Sequence, residues 1–167
     1  MRRIPALVIA ILGSFWLSAC GGGDDDTPAR QSSTPTSSPT PASDDQEAAT
    51  PIRITFGDVQ LTGTRVDNPT ARDLVPQLPM TLTFRDHNSA EKTAPLPAEL
   101  STAGAPEGHD PVAGDIGYYA HGGDFVLYYD DAAPYFDGII RIGEFRGDLT
   151  ALEQQADGVR IRIERAG

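Results

Sequence analysis

All five tyrosines of this 167-residue chain fall between residues 118 and 135, with Phe125 inside that window and Phe136 directly after it. Rings with polar tips suit a half-wet pocket that grips an apolar or proline-rich ligand. Tyr118, Tyr119, Phe125, Tyr128 and Tyr129 are therefore the candidate ligand-binding residues. Paired tyrosines on two hairpin strands have a second reading, with one ring in the core and the other across the outer sheet face. Tyr118 with Tyr129, or Tyr119 with Tyr128, would then be cross-strand partners, according to register. Other reactive types are scattered. His87, His109 and His121 lack the i, i+2 or i, i+4 spacing of a metal motif and read as turn histidines. Ser101 lacks the Gly-x-Ser-x-Gly context of an exposed nucleophile. Asp130-Asp131 sits at a strand end, where a turn explains it. The glycine-rich segments precede strands, and Lys92 is the only lysine, so no phosphate loop is present. Neither metal nor cofactor is expected.

One further reactive group is the single cysteine, Cys20. Met1-Arg2-Arg3 gives a positive start, Ile4 to Leu17 is apolar, and small residues follow. That is the layout of a secretory signal, too short to read comfortably as a membrane span. Leu17-Ser18-Ala19-Cys20 resembles the bacterial lipobox. The resemblance implies a diacylglycerol thioether on Cys20 and cleavage before it, giving residues 1–19 as signal and the membrane as partner through that lipid. Gly21 follows the cysteine, where an Asp would hold an enteric lipoprotein at the inner membrane. By that resemblance the mature chain belongs to the cell envelope, on the outer membrane facing the periplasm. A lipidated Cys20 leaves no thiol for disulfides, thiolate metal sites or nucleophilic catalysis.

The formal net charge is −11, and losing Arg2 and Arg3 makes the mature chain more acidic. Such a surface repels phosphate backbones, so nucleic acid is not an expected partner. Residues 20–50 carry Asp24-Asp25-Asp26 and then Ser, Thr, Pro, Ala, Asp and Gln, with no apolar period. They cannot bury enough surface to offset ordering entropy and are expected to form a disordered tether, with a reach of roughly 30 Å. The acidic run lacks the spaced ligands and glycine turn of a calcium loop and reads as solvated charge.

Residues 51–167 are of a size for one domain with a single core. Ile52, Ile54 and Phe56 alternate with polar residues, and so do Met80, Leu82 and Phe84, then Val159, Ile161 and Ile163. Each is a strand with one buried face. Asn68-Pro69 starts a helix running to about Leu78, its last turn strained by Pro76. A short strand or edge segment is expected within 94–100, and a long loop over 101–115. Strands over 116–120 and 125–130 join through His121-Gly122-Gly123-Asp124, where both glycines can take positive φ. Another strand spans 139–145, and Asp148 caps a helix holding Leu149, Leu152 and Ala156. The class is mainly β: a small closed or nearly closed barrel with two short helices.

The order of elements and several strings resemble the bacterial cyclophilin-like proteins. The strings are Asp67-Asn68-Pro69-Thr70-Ala71, Leu78 to Phe84, Leu100 to Pro106, Gly114-Asp115-Ile116-Gly117-Tyr118-Tyr119 and Leu127-Tyr128-Tyr129. The resemblance implies a cyclophilin-like barrel with a helix closing each end. True cyclophilins add a catalytic arginine, a Phe-x-x-Gln pair and an aromatic wall. Arg85 is the nearest match to that arginine, and no Phe-x-x-Gln follows it. By alternation Arg85 points outward, where a salt bridge is its expected role. The combined expectation is a non-enzymatic module that binds a peptide or small apolar molecule. The alternative is a degenerate peptidyl-prolyl isomerase resting on Arg85.

Overall fold

The computed structural model describes residues 51–167. The expected signal, Cys20 and the tether lie outside the described residues. Eight strands form a closed antiparallel barrel: β1 (Pro51–Phe56), β2 (Val59–Arg65), β3 (Met80–His87), β4 (Glu91–Pro95), β6 (Asp115–Tyr119), β7 (Asp124–Tyr128), β9 (Ile139–Arg146) and β10 (Val159–Arg165). Their order around the barrel is β1-β10-β3-β4-β7-β6-β9-β2. Two-residue strands β5 (Gly108–His109) and β8 (Phe136–Asp137) pair with each other outside it.

Period-two alternation is what drives closure. Ile52, Ile54, Leu82, Phe84, Ile161 and Ile163 turn inward and are buried, whereas Thr81, Thr83 and Arg85 turn out. Phe84 and Phe125 meet edge to face in the interior, with ring centroids 6.2 Å apart. Asn68 caps α1 (Pro69–Leu74) by accepting from the Ala71 N–H at 2.7 Å. The helix ends earlier than expected because Pro76 has no N–H to continue the ladder, and Val75–Gln77 tightens to a 3-10 turn. Asp148 caps α2 (Leu149–Glu153) through the Ala151 N–H at 2.9 Å, and Ala156 lies beyond its end. Leu74 and Leu152 add to the barrel core.

Three expectations need correction. The strand foreseen within 94–100 is centred earlier, at Glu91–Pro95, because an inward-facing lysine breaks its apolar pattern. The loop over 101–115 contains β5. In the β6–β7 hairpin only Gly123 takes positive φ, +71°, and the register pairs Tyr118 with Phe125 and Tyr119 with Asp124. Neither foreseen tyrosine pair is therefore a cross-strand pair.

Candidate functional site

Strand register lays out three rows of side chains on the outer barrel face. His87, Glu91 and Tyr128 form the first row, and Arg85, Thr93, Val126 and Gly117 the second. Asp124, Tyr119 and Ile139 form the third. Gly117 is the low point. A Cβ there would come within 3.0 Å of the Tyr128 ring and 3.6 Å of Ile139, so the missing side chain leaves room for that ring. Residues 129–138 cross above these rows as a strap, bringing Ala133, Pro134 and Phe136 against them. Between strap and sheet lies a groove of about 350 Å³, within the range of small-molecule sites.

The strap is fastened by the pairing of β8 with β5 and by Gly138 N–H donating to Glu107 O at 2.7 Å. Gly108 permits this close approach: a Cβ there would lie 2.5 Å from the Phe136 carbonyl oxygen and 2.6 Å from the Tyr135 hydroxyl. His109 in turn ties β5 to the barrel through Asp115, at 2.9 Å. Asp115 is buried and also accepts from Arg141 Nε at 2.5 Å and from the Val112 N–H at 3.2 Å. Burial would raise this carboxyl, but the bonds from Arg141, His109 and Val112 outweigh it and hold it below the usual carboxylate range. Tyr135 and Phe136 remain half exposed on the strap, and the Phe136 ring stands 5.7 Å from that of Tyr119.

The five aromatic candidates divide between two environments. Tyr119 and Tyr128 line the groove. Tyr118 and Phe125 point into the barrel, where the Tyr118 hydroxyl accepts from the Leu100 N–H at 3.1 Å and positions that loop. Tyr129 also turns inward, donating its O–H to Asp86 at 2.6 Å. The Lys92 ammonium donates to the same carboxylate at 2.8 Å and to the Gln155 carbonyl at 2.6 Å, and lies 5.4 Å from the Tyr129 ring centroid. Burial would raise Asp86, but Lys92, Tyr129 and the Ser89 N–H together lower it. This is a buried polar tie between barrel and the α2 end, separate from the groove.

Within the groove, burial raises the Glu91 carboxyl against the opposing effects of His87 and the Tyr128 hydrogen bond. Burial likewise raises the Tyr128 hydroxyl, helped by Glu91. Val126, Ile139 and Glu91 were not singled out from sequence. For Glu91 the available signal was Asn88-Ser89, which turns β3 into β4 with both residues at positive φ and sets Glu91 opposite His87. The histidines lie on separate elements. Among the described residues no three His, Cys, Asp or Glu side chains converge on a metal position.

Residues 54–164 match the model of the cyclophilin-like family. The chain belongs to that family. Its fold is similar to the solution structure of a hypothetical protein from Archaeoglobus fulgidus, with a TM-score of 0.55 and 20% identity, covering 71% of this chain and 96% of that one. At that identity the likeness concerns the fold alone. No curated protein matches the chain. In this cyclophilin-like barrel Arg85 is exposed on β3 and lines the groove. The salt bridge expected of it is not made: among the described residues Arg85 pairs with no carboxylate.

Proposed function

We propose that this protein is a lipid-anchored envelope protein whose cyclophilin-like barrel binds a peptide or small apolar ligand in the groove beneath the 129–138 strap. The observation that carries the reading is the groove itself, a concave and largely apolar space with Tyr119 and Tyr128 on its sheet side and Phe136 on its strap side. Aromatic rings there supply contact area at low rotamer cost, and their hydroxyls give orientation. The anchor rests on Leu17-Ser18-Ala19-Cys20. Cys20→Ser should move the protein from the membrane fraction to the soluble one; unchanged fractionation would remove the anchor.

Ligand capture is tested with a blocked Ala-Ala-Pro-Phe peptide titrated onto the full chain. Tyr119→Ala should weaken binding tenfold or more while leaving the unfolding midpoint within a few degrees. Tyr128 is fully buried, so Tyr128→Phe is the informative change there rather than truncation. Unaltered affinity in Tyr119→Ala refutes this site.

A second reading, prolyl isomerisation, is favoured by one feature: Arg85 stands in the groove without an ion pair among the described residues. A guanidinium so placed can hydrogen-bond a peptide carbonyl. A proline cis–trans assay on wild type and Arg85→Ala distinguishes the readings. Acceleration that disappears in the variant makes the protein an enzyme; no acceleration by wild type leaves a binding module.

A further inference from the structure

The groove contains a half-buried carboxylate that no cation of the described residues pairs with. Glu91 is half-buried on β4, opposite Tyr128 in the strand register, and its carboxylate interacts with the Tyr128 hydroxyl. No Lys, Arg or His nitrogen of the described residues comes within ion-pair distance of it. Asp124, in the third row, is likewise half-buried and without an ion pair among the described residues, whereas the carboxylates outside the groove that withdraw from solvent are held differently. Asp115 has Arg141 and His109, and Asp86 has Lys92. A desolvated carboxylate without a cation is an unfavourable arrangement in a finished core. At the wall of an open groove it becomes a receptor for a cation that arrives from outside.

Its surroundings suit an apolar cation. The Tyr128, Tyr119 and Phe136 rings line the same space, and aromatic faces attract ammonium groups. Val126 and Ile139 give the floor between them an apolar surface. The chain's net charge of −11 draws cations toward it at long range. Arg85 opposes this, but it sits one row away, exposed at the margin, and its repulsion favours the Glu91 and Tyr128 end for a positive group. We propose that the groove selects a small hydrophobic cation, a protonated amine on an aromatic or aliphatic body, with its nitrogen paired to Glu91 and its apolar part against Val126, Ile139 and Phe136. This inference rests on the groove being a binding site.

The groups that face Glu91 are His87 and Arg85 from β3 and Tyr128 from β7, with Asp86 acting at longer range. Burial raises the Glu91 carboxyl above the ordinary glutamate value, so the receptor form is lost at a higher pH than for an exposed glutamate.

The test titrates three shape-matched probes onto the full chain at pH 7.5 and low salt: 2-phenylethylammonium, 2-phenylethanol and 3-phenylpropionate. The expected order is ammonium at least tenfold tighter than alcohol, and propionate weakest. Glu91→Gln should abolish the ammonium's advantage over the alcohol. In wild type the same preference should shrink as pH falls from 7.5 to 4.5, a measurement that needs no variant to fold. Equal affinity of ammonium and alcohol, or a preference that survives Glu91→Gln, overturns this inference and leaves the groove as a binding site. No binding of any probe overturns the groove reading with it.

Discussion

Replacing Lys92 by methionine tests the buried tie between barrel and α2. Lys92 is only 1% exposed, yet its ammonium is bonded to Asp86 and to the Gln155 carbonyl. Methionine keeps the length of the stem and fills the same space, so the change removes the charge and its three donors with little cavity. A bond to a charged group contributes about 1.5–3 kcal/mol. The lower part of that range applies to Asp86, whose side chain is 33% exposed and is therefore partly solvated once its partner leaves. The Gln155 carbonyl loses its only lysine donor, worth about 1–2 kcal/mol more if no water replaces it. The sum is about 2–4 kcal/mol, reduced slightly because methionine needs no desolvation of an ammonium. For a domain of this size that is a fall of roughly 10 °C in the unfolding midpoint. Thermal unfolding of the full chain, followed through the near-ultraviolet signal of its tyrosines, reads it directly. Adding Asp86→Asn to Lys92→Met removes the stranded carboxylate and should recover about half of the loss. A midpoint within 2 °C of wild type, or no recovery in the double variant, refutes the assignment.

Three further outcomes follow from the same geometry. Asp86 and Asp115 both titrate below the usual carboxylate range when folded, so their stabilisation is complete above the unfolded value of about 4 and is lost as pH falls through the lowered folded values. Urea midpoints should therefore drop below about pH 4, and the drop should be smaller in Asp115→Asn; an equal drop in that variant would remove Asp115 from the account. Gly108→Ala places a Cβ against Phe136 O and the Tyr135 hydroxyl, an overlap costing about 1–3 kcal/mol that a two-residue ladder cannot absorb. Amide exchange over residues 129–138 should quicken while the global midpoint moves little; unchanged exchange would mean that β5 does not hold the strap. Gly117→Ala sets a methyl 3.0 Å from the Tyr128 ring and should tilt that ring into the groove, weakening probe binding several-fold; undiminished binding would show that the low point is not part of the site.

Strands with one wet face were readable because their alternation is complete: Ile52, Ile54 and Phe56 inward on β1, Met80, Leu82 and Phe84 inward on β3. Both helix starts were readable from their caps at Asn68 and Asp148. β4 was not, since Lys92 points into the barrel and Thr93 toward the groove, reversing the polarity that alternation normally reports. The groove was half legible. An aromatic concentration between residues 118 and 136 marked the region, but Phe125 to Tyr128 is buried on both faces, one by the core and one by the strap. Composition cannot tell core from groove in such a strand. Only the register, which pairs Tyr118 with Phe125, separates Tyr119 and Tyr128 from Tyr118 and Tyr129. β5 and β8 are too short to carry a period at all, and their pairing depends on the bare backbone of Gly108.

The barrel closes through its first and last strands, with Ile52 opposite Arg165 and Ala166 N–H bonded to Pro51 O at 2.9 Å. β10 also supplies the partner of β3, so a chain still lacking its final residues leaves both β1 and β3 without their shared neighbour. During synthesis the domain is therefore an open sheet until β10 has been made, and closing the ring by a contact between its first and last strands is a slow, non-local step. A chain at that stage has not closed its barrel. It also depends on that interval being guarded, because the two waiting strands expose the hydrogen-bonding groups that other chains can pair with.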